Sequence, residues 1–237
     1  MHDDLLGCRL HACGGALFEL SEQGHWGARV GPWQRCLDAK LARAWDEFTK
    51  WLSQRGLSTS TSKFSSRVIS MHRRVDWPCL KAKAANAAMV CDWIADIAIA
   101  VAEHEPNERN RARADMLWGF KELWRIFRLG HWLTEEEAAA VEKARMCALL
   151  GYHACSKLAS ERNVFLYPIQ PKFHKLDHLC RRAVRARVSP STTWTFSDED
   201  LNRWMVGLCS QSHGATLART PVDRWLIYFW SEAEWLQ

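Results

Sequence analysis

Two histidines spaced four residues apart, within a strongly basic segment, are the side chains of this sequence best placed to do chemistry. His174 and His178 follow Pro171, a residue that favours the first turn of a helix. On an α-helix, residues four apart lie on the same face. Because imidazole nitrogens ligate metals and also donate hydrogen bonds to anions, the spacing allows two kinds of site.

The first kind of site is a metal centre. His174, Asp177 and His178 form the pattern HxxDH, similar to that of an inverted zincin with Asp in place of Glu. Asp198, Glu199 or Asp200, in the later acidic run, could complete a ligand set, for which we take Glu199. This set is the basis of an alternative hypothesis, a metal-dependent hydrolase or nuclease remnant. Helix capping explains the acidic run without any function and is the favoured interpretation of it.

The second kind of site is an anion-binding face. At about 100° per residue, arginines continue the line of the two histidines along the helix. A unit charge about 7 Å from a dication costs roughly 5 kcal/mol at an effective dielectric of about 20, so these arginines disfavour a metal. Arginine forks instead bind phosphates bidentately. The predicted nucleic-acid-binding residues are Lys172, His174, Lys175, His178, Arg181, Arg182 and Arg185.

This basic face has two interpretations that the sequence leaves open. Four to six phosphate contacts would support salt-sensitive, sequence-independent binding to nucleic acid. Alternatively, the face is solvated and paired with acids elsewhere, for instance Glu135–Glu137 or Asp198–Asp200. The formal net charge of +5 comes entirely from residues 171–188, where six Lys and Arg stand against Asp177. The positive charge is therefore concentrated in this segment and is not spread over the whole chain.

The cysteines indicate a reducing compartment. The nine cysteines are scattered, odd in number and without CxxC spacing, which disfavours a zinc ribbon or a disulfide framework. We expect reduced thiols, mostly small core residues, in an intracellular protein that is cytoplasmic or nuclear. Cys8, His11 and Cys13 lie close enough to bind a soft metal, but no second ligand pair follows. No cofactor is predicted.

Neither the N-terminus nor the most apolar run predicts a membrane or secretory protein. The first residues contain acids where a signal peptide needs bases. Residues 84–102 are interrupted by Asn86, Asp92 and Asp96, each costly at a bilayer centre. We therefore expect this run to be a buried helix of a soluble protein, with no membrane partner.

The elements that must position the basic face are all helical. No alternating apolar and polar run occurs between turn residues, and β-branched residues are sparse. Residues 1–31, rich in glycine, predict an irregular arm with at most one short helix. Residues 32–237 predict a single all-α domain of about seven helices. Their starts are placed at Pro32, Asp76–Pro78, after Asn107, Thr134, Pro171, Ser197 and Thr220. Thr134 and Glu137 have the spacing of a capping box, and Gly56 is expected to end the helix that starts at Pro32.

Tryptophan is unusually frequent, with 14 Trp against 3 Tyr. Because Trp buries a large area and needs only one N–H partner, we expect most of them in the core. Trp194 and Trp235, which flank or end predicted helices, are the expected exceptions.

Three segments together carry a resemblance to a known family. They are residues 81–86 (KAKAAN), the run from Pro171 through His178, and residues 194–200 (WTFSDED). Together they resemble a family of Trp-rich helical open reading frames abundant in dinoflagellate genomes, over roughly residues 30–230. The resemblance implies an all-helical protein.

The PKxHxxxH element followed by an aromatic and acidic stretch is also similar to the C-terminal part of some cut-and-paste transposases. That similarity implies that Glu199 or Asp198 matches a metal-binding acid. No N-terminal half with the first two carboxylates on strands is recognisable, so the similarity implies a remnant of a mobile element or a partner of one.

The leading hypothesis is therefore a non-enzymatic intracellular helical domain that binds nucleic acid or an acidic protein surface through its basic helix face. The metal-dependent hydrolase is one alternative. A purely structural protein-interaction module is the other.

Overall fold

The computed structural model describes residues 7–193 and Cys209. The chain divides into two units, Met1–Thr192 and Thr193–Gln237, and all six α-helices named below lie in the first. The helices predicted to begin at Ser197 and Thr220 lie outside the described residues, as do Trp194, Trp235 and residues 198–200 with Glu199.

Within residues 7–193 the chain forms six α-helices and no β-strand, which confirms the all-α class. The helices are α1 (Arg9–Gln23), α2 (Trp33–Gln54), α3 (Ala84–His104), α4 (Glu108–Phe127), α5 (Glu135–Glu161) and α6 (Pro171–Ala186). A short 3-10 turn follows at Pro190–Thr193. The predicted helices between residues 32 and 185 correspond to α2 through α6, and α1 is an additional helix.

The prediction of an irregular N-terminal arm is wrong over Arg9–Gln23, which is a 15-residue helix with most of its residues buried. Its two central glycines mark close contacts with neighbouring chain segments. A Cβ on Gly14 would lie 2.8 Å from the backbone nitrogens of Cys79 and Leu80, and one on Gly15 would lie 2.5 Å from the Tyr167 ring. Glycine is needed there because other segments cross the helix at backbone distance. The boundary between residues 31 and 32 stays a prediction.

The predicted helix start at Asp76–Pro78 is also wrong, since α3 begins only at Ala84. Asp76 instead closes a turn, accepting hydrogen bonds from the backbone N–H groups of His72 and Arg73 at 3.0 and 2.8 Å. The chain after it is extended because its amides are used elsewhere. Leu80 donates to the Leu10 carbonyl of α1 at 3.0 Å, so this segment holds α1 in place.

Two predicted helix ends are confirmed. The Thr134 hydroxyl accepts from the Glu137 amide at 3.1 Å, and the Glu137 carboxylate accepts from the Thr134 amide at 2.8 Å, forming a capping box. At the end of α2, Gly56 has a φ of +64°. Gly56 and the residue after it donate to the Ser53 and Leu52 carbonyls, the Schellman arrangement that a left-handed glycine permits.

The centre of the core is aromatic, but few tryptophans are fully buried. Phe48, Phe64 and Trp93 pack with ring centroids 5.2 to 5.9 Å apart, and Trp26 stacks on Trp93 at 6.0 Å. Among the nine described tryptophans only Trp26 and Trp93 are buried, so the expectation of mostly core tryptophans is wrong for this part of the chain. The indole N–H accounts for the position of one of the others, Trp51.

Half-buried Trp51 donates from Nε1 to the partly exposed Asp96 carboxylate at 3.3 Å, so one side of this ring stays near solvent. Trp26 is buried and also donates to a carboxylate, that of Glu47 at 2.9 Å.

Helices α3, α4 and α5 form the packed body, with α4 between the other two. The α4–α5 contact is made backbone to backbone. A Cβ on Gly119 of α4 would lie 2.5 Å from the Ala144 carbonyl oxygen, and one on Gly151 of α5 would lie 2.7 Å from the Met116 nitrogen. Helices α4 and α5 therefore pack at backbone distance, and α6 packs on α5.

Helix α3 is long and apolar enough to cross a membrane on length and composition alone. The core helix of a soluble protein passes the same test, and most of the α3 residues from Asn86 to Ala98 are buried inside the fold. The expected absence of a membrane partner stays a prediction.

Candidate functional site

Helix α6 is positioned by its first turn and by one apolar side. Pro171 occupies the first turn, where its missing N–H would have had no partner. Phe173, Leu176, Cys180 and Ala183 are buried, as the helical wheel predicts. Phe173 packs on Tyr152 of α5 with ring centroids 4.0 Å apart. The opposite side of α6 therefore points away from the body of the fold.

Six of the seven predicted nucleic-acid-binding residues lie exposed on α6. They are His174, Lys175, His178, Arg181, Arg182 and Arg185. The seventh, Lys172, is half-buried because its stem lies against Gly7, before α1. The open basic face is defined here as the six exposed residues, without Lys172.

The acids that neutralise this region are few. Asp177 accepts from Arg145 of α5 and, at 2.9 Å, from Arg181 one turn along α6. Arg145 also pairs with Glu142 at 2.5 Å. Arg145 is thus a nearly buried cation that holds the one acid of α6 at the base of the open basic face.

The interpretation of a fully paired surface does not fit the described residues. Glu135 pairs with Arg187 at 3.2 Å, beyond the last residue of α6. Within residues 7–193, Lys175, Arg182 and Arg185 have no carboxylate within ion-pair distance. Three cations thus face water on one side of a rigid helix.

His174 and His178 are brought together, as their spacing predicts. Their Nε2 atoms are 2.9 Å apart and their rings meet edge to face at 4.3 Å. One ring donates and the other accepts, so at least one is neutral in this arrangement. Among the described residues no group of three His, Cys, Asp or Glu is placed to hold a metal ion. Glu199, the predicted additional ligand, lies outside the described residues.

Cys8, His11 and Cys13 were the other candidates for a metal site. They do not form a group that could hold a metal ion in the part of the chain that the structure describes. His11 is held between the Gln170 amide at 2.8 Å and the Pro78 carbonyl at 3.3 Å. Burial lowers the pKa of His11, and the charge of Lys172 lowers it further. Cys8 and Cys13 are buried thiols. Six of the nine cysteines are buried, which confirms the expectation of mostly core thiols.

Trp132 is a functional candidate that sequence reasoning missed. It is 77% exposed and lies in the link between α4 and α5. An isolated antiparallel bridge pairs it with Val188, just after α6, through hydrogen bonds of 2.9 Å from Leu133 to Arg187 and 2.8 Å from Ser189 to His131. The backbone of Trp132 is thus held beside the end of the basic helix, and its indole is exposed. The sequence signal that could have indicated this residue is a Trp in the short, Gly-containing link between two predicted helices.

No protein-family model, no curated protein and no solved structure matches this chain.

Proposed function

We propose that this chain is a non-enzymatic intracellular helical domain, cytoplasmic or nuclear, that binds single-stranded nucleic acid through the open basic face of α6. The observation that carries the proposal is the row of exposed cations, of which Lys175, Arg182 and Arg185 have no acidic partner in residues 7–193. Cations on a rigid helix gain from neutralising phosphates and releasing counterions.

Trp132 favours a single strand over a duplex. An exposed indole offers a face on which an unpaired base can stack, worth about 1–3 kcal/mol per base, without sequence preference. The bridge to Val188 holds the backbone of Trp132 beside the C-terminal end of α6. A cationic row with an adjacent aromatic is the combination that single-strand binders use. Derivation from a mobile element is part of the same proposal and rests on the sequence resemblance.

The test is a salt titration with fluorescently labelled random-sequence DNA and RNA, followed by fluorescence anisotropy. The variant replaces Lys175, Arg181, Arg182 and Arg185 together by Ala. Each lost phosphate contact should reduce the slope of log K against log salt by about 0.7 on single strands. A matched control removes four exposed cations elsewhere: Arg29, Arg35, Lys50 and Arg111. Equal binding by the α6 variant and wild type would refute the proposal.

Trp132→Ala separates stacking from charge. We expect about ten-fold weaker binding to single strands with an unchanged salt slope, since the substitution removes no charge. Trp77→Ala is the control because Trp77 is another exposed indole, 44% accessible, in a different part of the fold. If Trp132→Ala binds as tightly as wild type, stacking is not part of the interaction.

The distance between the two imidazoles favours one alternative, a metal-dependent hydrolase using His174, Asp177, His178 and Glu199. An Nε2 separation of 2.9 Å would allow both rings to ligate one ion. Metal analysis of protein purified without a His tag decides: stoichiometric zinc or manganese that is lost in His178→Asn would support this alternative. If instead the chain binds acidic proteins and not nucleic acid, the partner of the basic face is an acidic protein surface. If it binds neither and retains no metal, the purely structural protein-interaction module is favoured.

A further inference from the structure

A second positively charged site lies away from α6. A cleft of about 480 Å³ opens between α1, the start of α4 and the link after α5. Its polar lining includes Glu19, Glu22, Arg74, Arg109 and Arg162. None of these residues belongs to the open basic face, so the cleft is independent of the proposed function.

Glu19 is the centre of this cluster and is 2% exposed. Its Oε1 accepts from Arg109 at 2.6 Å and from Arg162 at 2.9 Å. Its Oε2 accepts from Arg113 at 3.2 Å and from Tyr167 at 3.0 Å. With two donors on each oxygen, the carboxylate is saturated and has little capacity to neutralise more charge.

The cluster therefore keeps an excess of positive charge. Four arginines, Arg74 among them, stand against Glu19 and Glu22, and Glu22 meets Arg74 only at 3.5 Å. Arg113 is fully buried behind Glu19, so its charge is poorly screened by solvent. The residues that line the cleft thus carry one excess positive charge, three Arg against two Glu, and Arg113 behind them adds a second.

The arginines that line the cleft also have donors to spare. Arg109 uses only Nε on Glu19, so its two terminal nitrogens have no partner within residues 7–193. Arg162 uses Nε on the Leu158 carbonyl and one terminal nitrogen on Glu19, which leaves the other. Free guanidinium N–H groups on two arginines that meet at one carboxylate suit the tetrahedral oxygens of a phosphate.

Apart from the polar Gln23 and Asn163, the rest of the cleft lining is apolar. Phe18, Val75, Val164 and Phe165 form its wall. Phe165 meets Trp77 edge to face at 5.4 Å, and both rings are more than 40% exposed. An exposed aromatic pair beside a charged cleft gives an apolar group a place to pack next to an anion.

We infer that this cleft binds a small phosphate monoester, with the dianionic phosphate on Arg109 and Arg162 and an apolar substituent against Phe165. The two negative charges of the ligand match the excess charge of the cluster. A carboxylate would neutralise only half of it. The volume suits one small molecule and not a polymer.

Isothermal titration calorimetry with phenyl phosphate tests the inference. We expect phenyl phosphate to bind at least ten-fold more tightly than either inorganic phosphate or phenol. Inorganic phosphate lacks the apolar ring that would contact Phe165, and phenol lacks the phosphate that the arginines would bind. If the three bind equally, or none binds, the cleft is only an internal ion cluster and the inference fails.

Two variants locate the binding. Arg162→Gln should weaken phenyl phosphate about ten-fold, whereas Arg111→Gln, which removes an exposed cation that does not line the cleft, should leave it unchanged. Phe165→Glu places a carboxylate on the wall at a 46% exposed position, where the substitution removes little buried area. This variant should abolish binding while its circular dichroism stays that of wild type. Undiminished binding by a folded Phe165→Glu protein would overturn the inference.

Discussion

The Tyr167 hydroxyl donates a hydrogen bond of 3.0 Å to Oε2 of Glu19, joining two residues 148 positions apart in the sequence. Both side chains are buried, and the backbone of Tyr167 has a positive φ of 55°. Burial and the nearby charge of Glu19 raise the pKa of Tyr167, so the phenol stays protonated and acts as a donor. One buried carboxylate thus fixes α1 to the link before α6.

Replacing Glu19 by Gln should be among the most damaging single changes. Burial by itself raises the pKa of Glu19, but Arg109, Arg113, Arg162 and Tyr167 together lower it. Removing the charge leaves buried arginines without their partner, which typically costs about 3–5 kcal/mol. Urea denaturation at pH 7 measures the free energy of unfolding. The control is Glu22→Gln, whose weak pair with Arg74 is worth about 1 kcal/mol or less. Equal losses in the two variants would contradict this role.

Replacing Asp92 by Asn should stabilise the protein at neutral pH. Burial raises the pKa of Asp92 to about 6, and its Oδ1 has no hydrogen-bond partner within the described residues. A raised folded pKa means that the native state binds the proton more tightly. The contribution of Asp92 to stability is thus present at pH below about 4 and is lost as pH rises through about 6.

We expect Asp92→Asn to gain on the order of 2 kcal/mol in unfolding free energy at pH 7.5 and much less at pH 4.5. Urea denaturation at the two pH values measures this difference. Asp96→Asn is the control and should not gain, because Asp96 accepts from Lys121 at 2.6 Å and from Trp51 at 3.3 Å. A loss of stability in Asp92→Asn at pH 7.5 would show that its carboxylate is needed.

Gly119→Ala should loosen the contact between α4 and α5. The added methyl would lie 2.5 Å from the Ala144 carbonyl oxygen, and backbone cannot move aside as a flexible side chain can. We expect a loss of about 1–3 kcal/mol and a lower melting temperature. Gly130→Ala is the matched control because nothing lies within 4 Å of its added methyl. If both variants melt at the same temperature, the close helix approach is not a constraint on stability.

Thr134→Ala should remove the capping box at the start of α5. The substitution leaves the Glu137 amide without its acceptor, which costs about 1 kcal/mol. Chemical denaturation measures it. Thr49→Ala in the middle of α2 is the control, since its hydroxyl only bonds the Asp46 carbonyl three residues back. A Thr134→Ala protein as stable as wild type would show that the cap is redundant.

The features that the sequence predicted correctly are those that depend on residues close together in the chain. The cap at Thr134, the stop at Gly56 and the amphipathic pattern of α6 all arise within a few positions of the chain, and the structure contains them. The juxtaposition of His174 with His178 has the same origin, because helix geometry fixes it.

Features that depend on distant segments were not predictable in this way. Gly14 and Gly15 suggest an irregular arm by propensity, yet they lie inside a helix because Cys79 and Tyr167 approach from elsewhere. The pairing of Glu19 with Arg162 likewise needs the tertiary fold. The one available hint was an acid inside the apolar run Ala16–Leu20, where a buried charge requires partners.

The Glu19 cluster has a consequence for biosynthesis. Its carboxylate is synthesised before its partners, since Arg109, Arg113 and Arg162 follow 90, 94 and 143 residues later. Until those cations leave the ribosome, α1 has neither the partners of Glu19 nor the Tyr167 ring against which Gly15 packs. Helix α1 therefore waits for later segments before its contacts are complete, and during that interval its apolar side is open to chaperones or to aggregation.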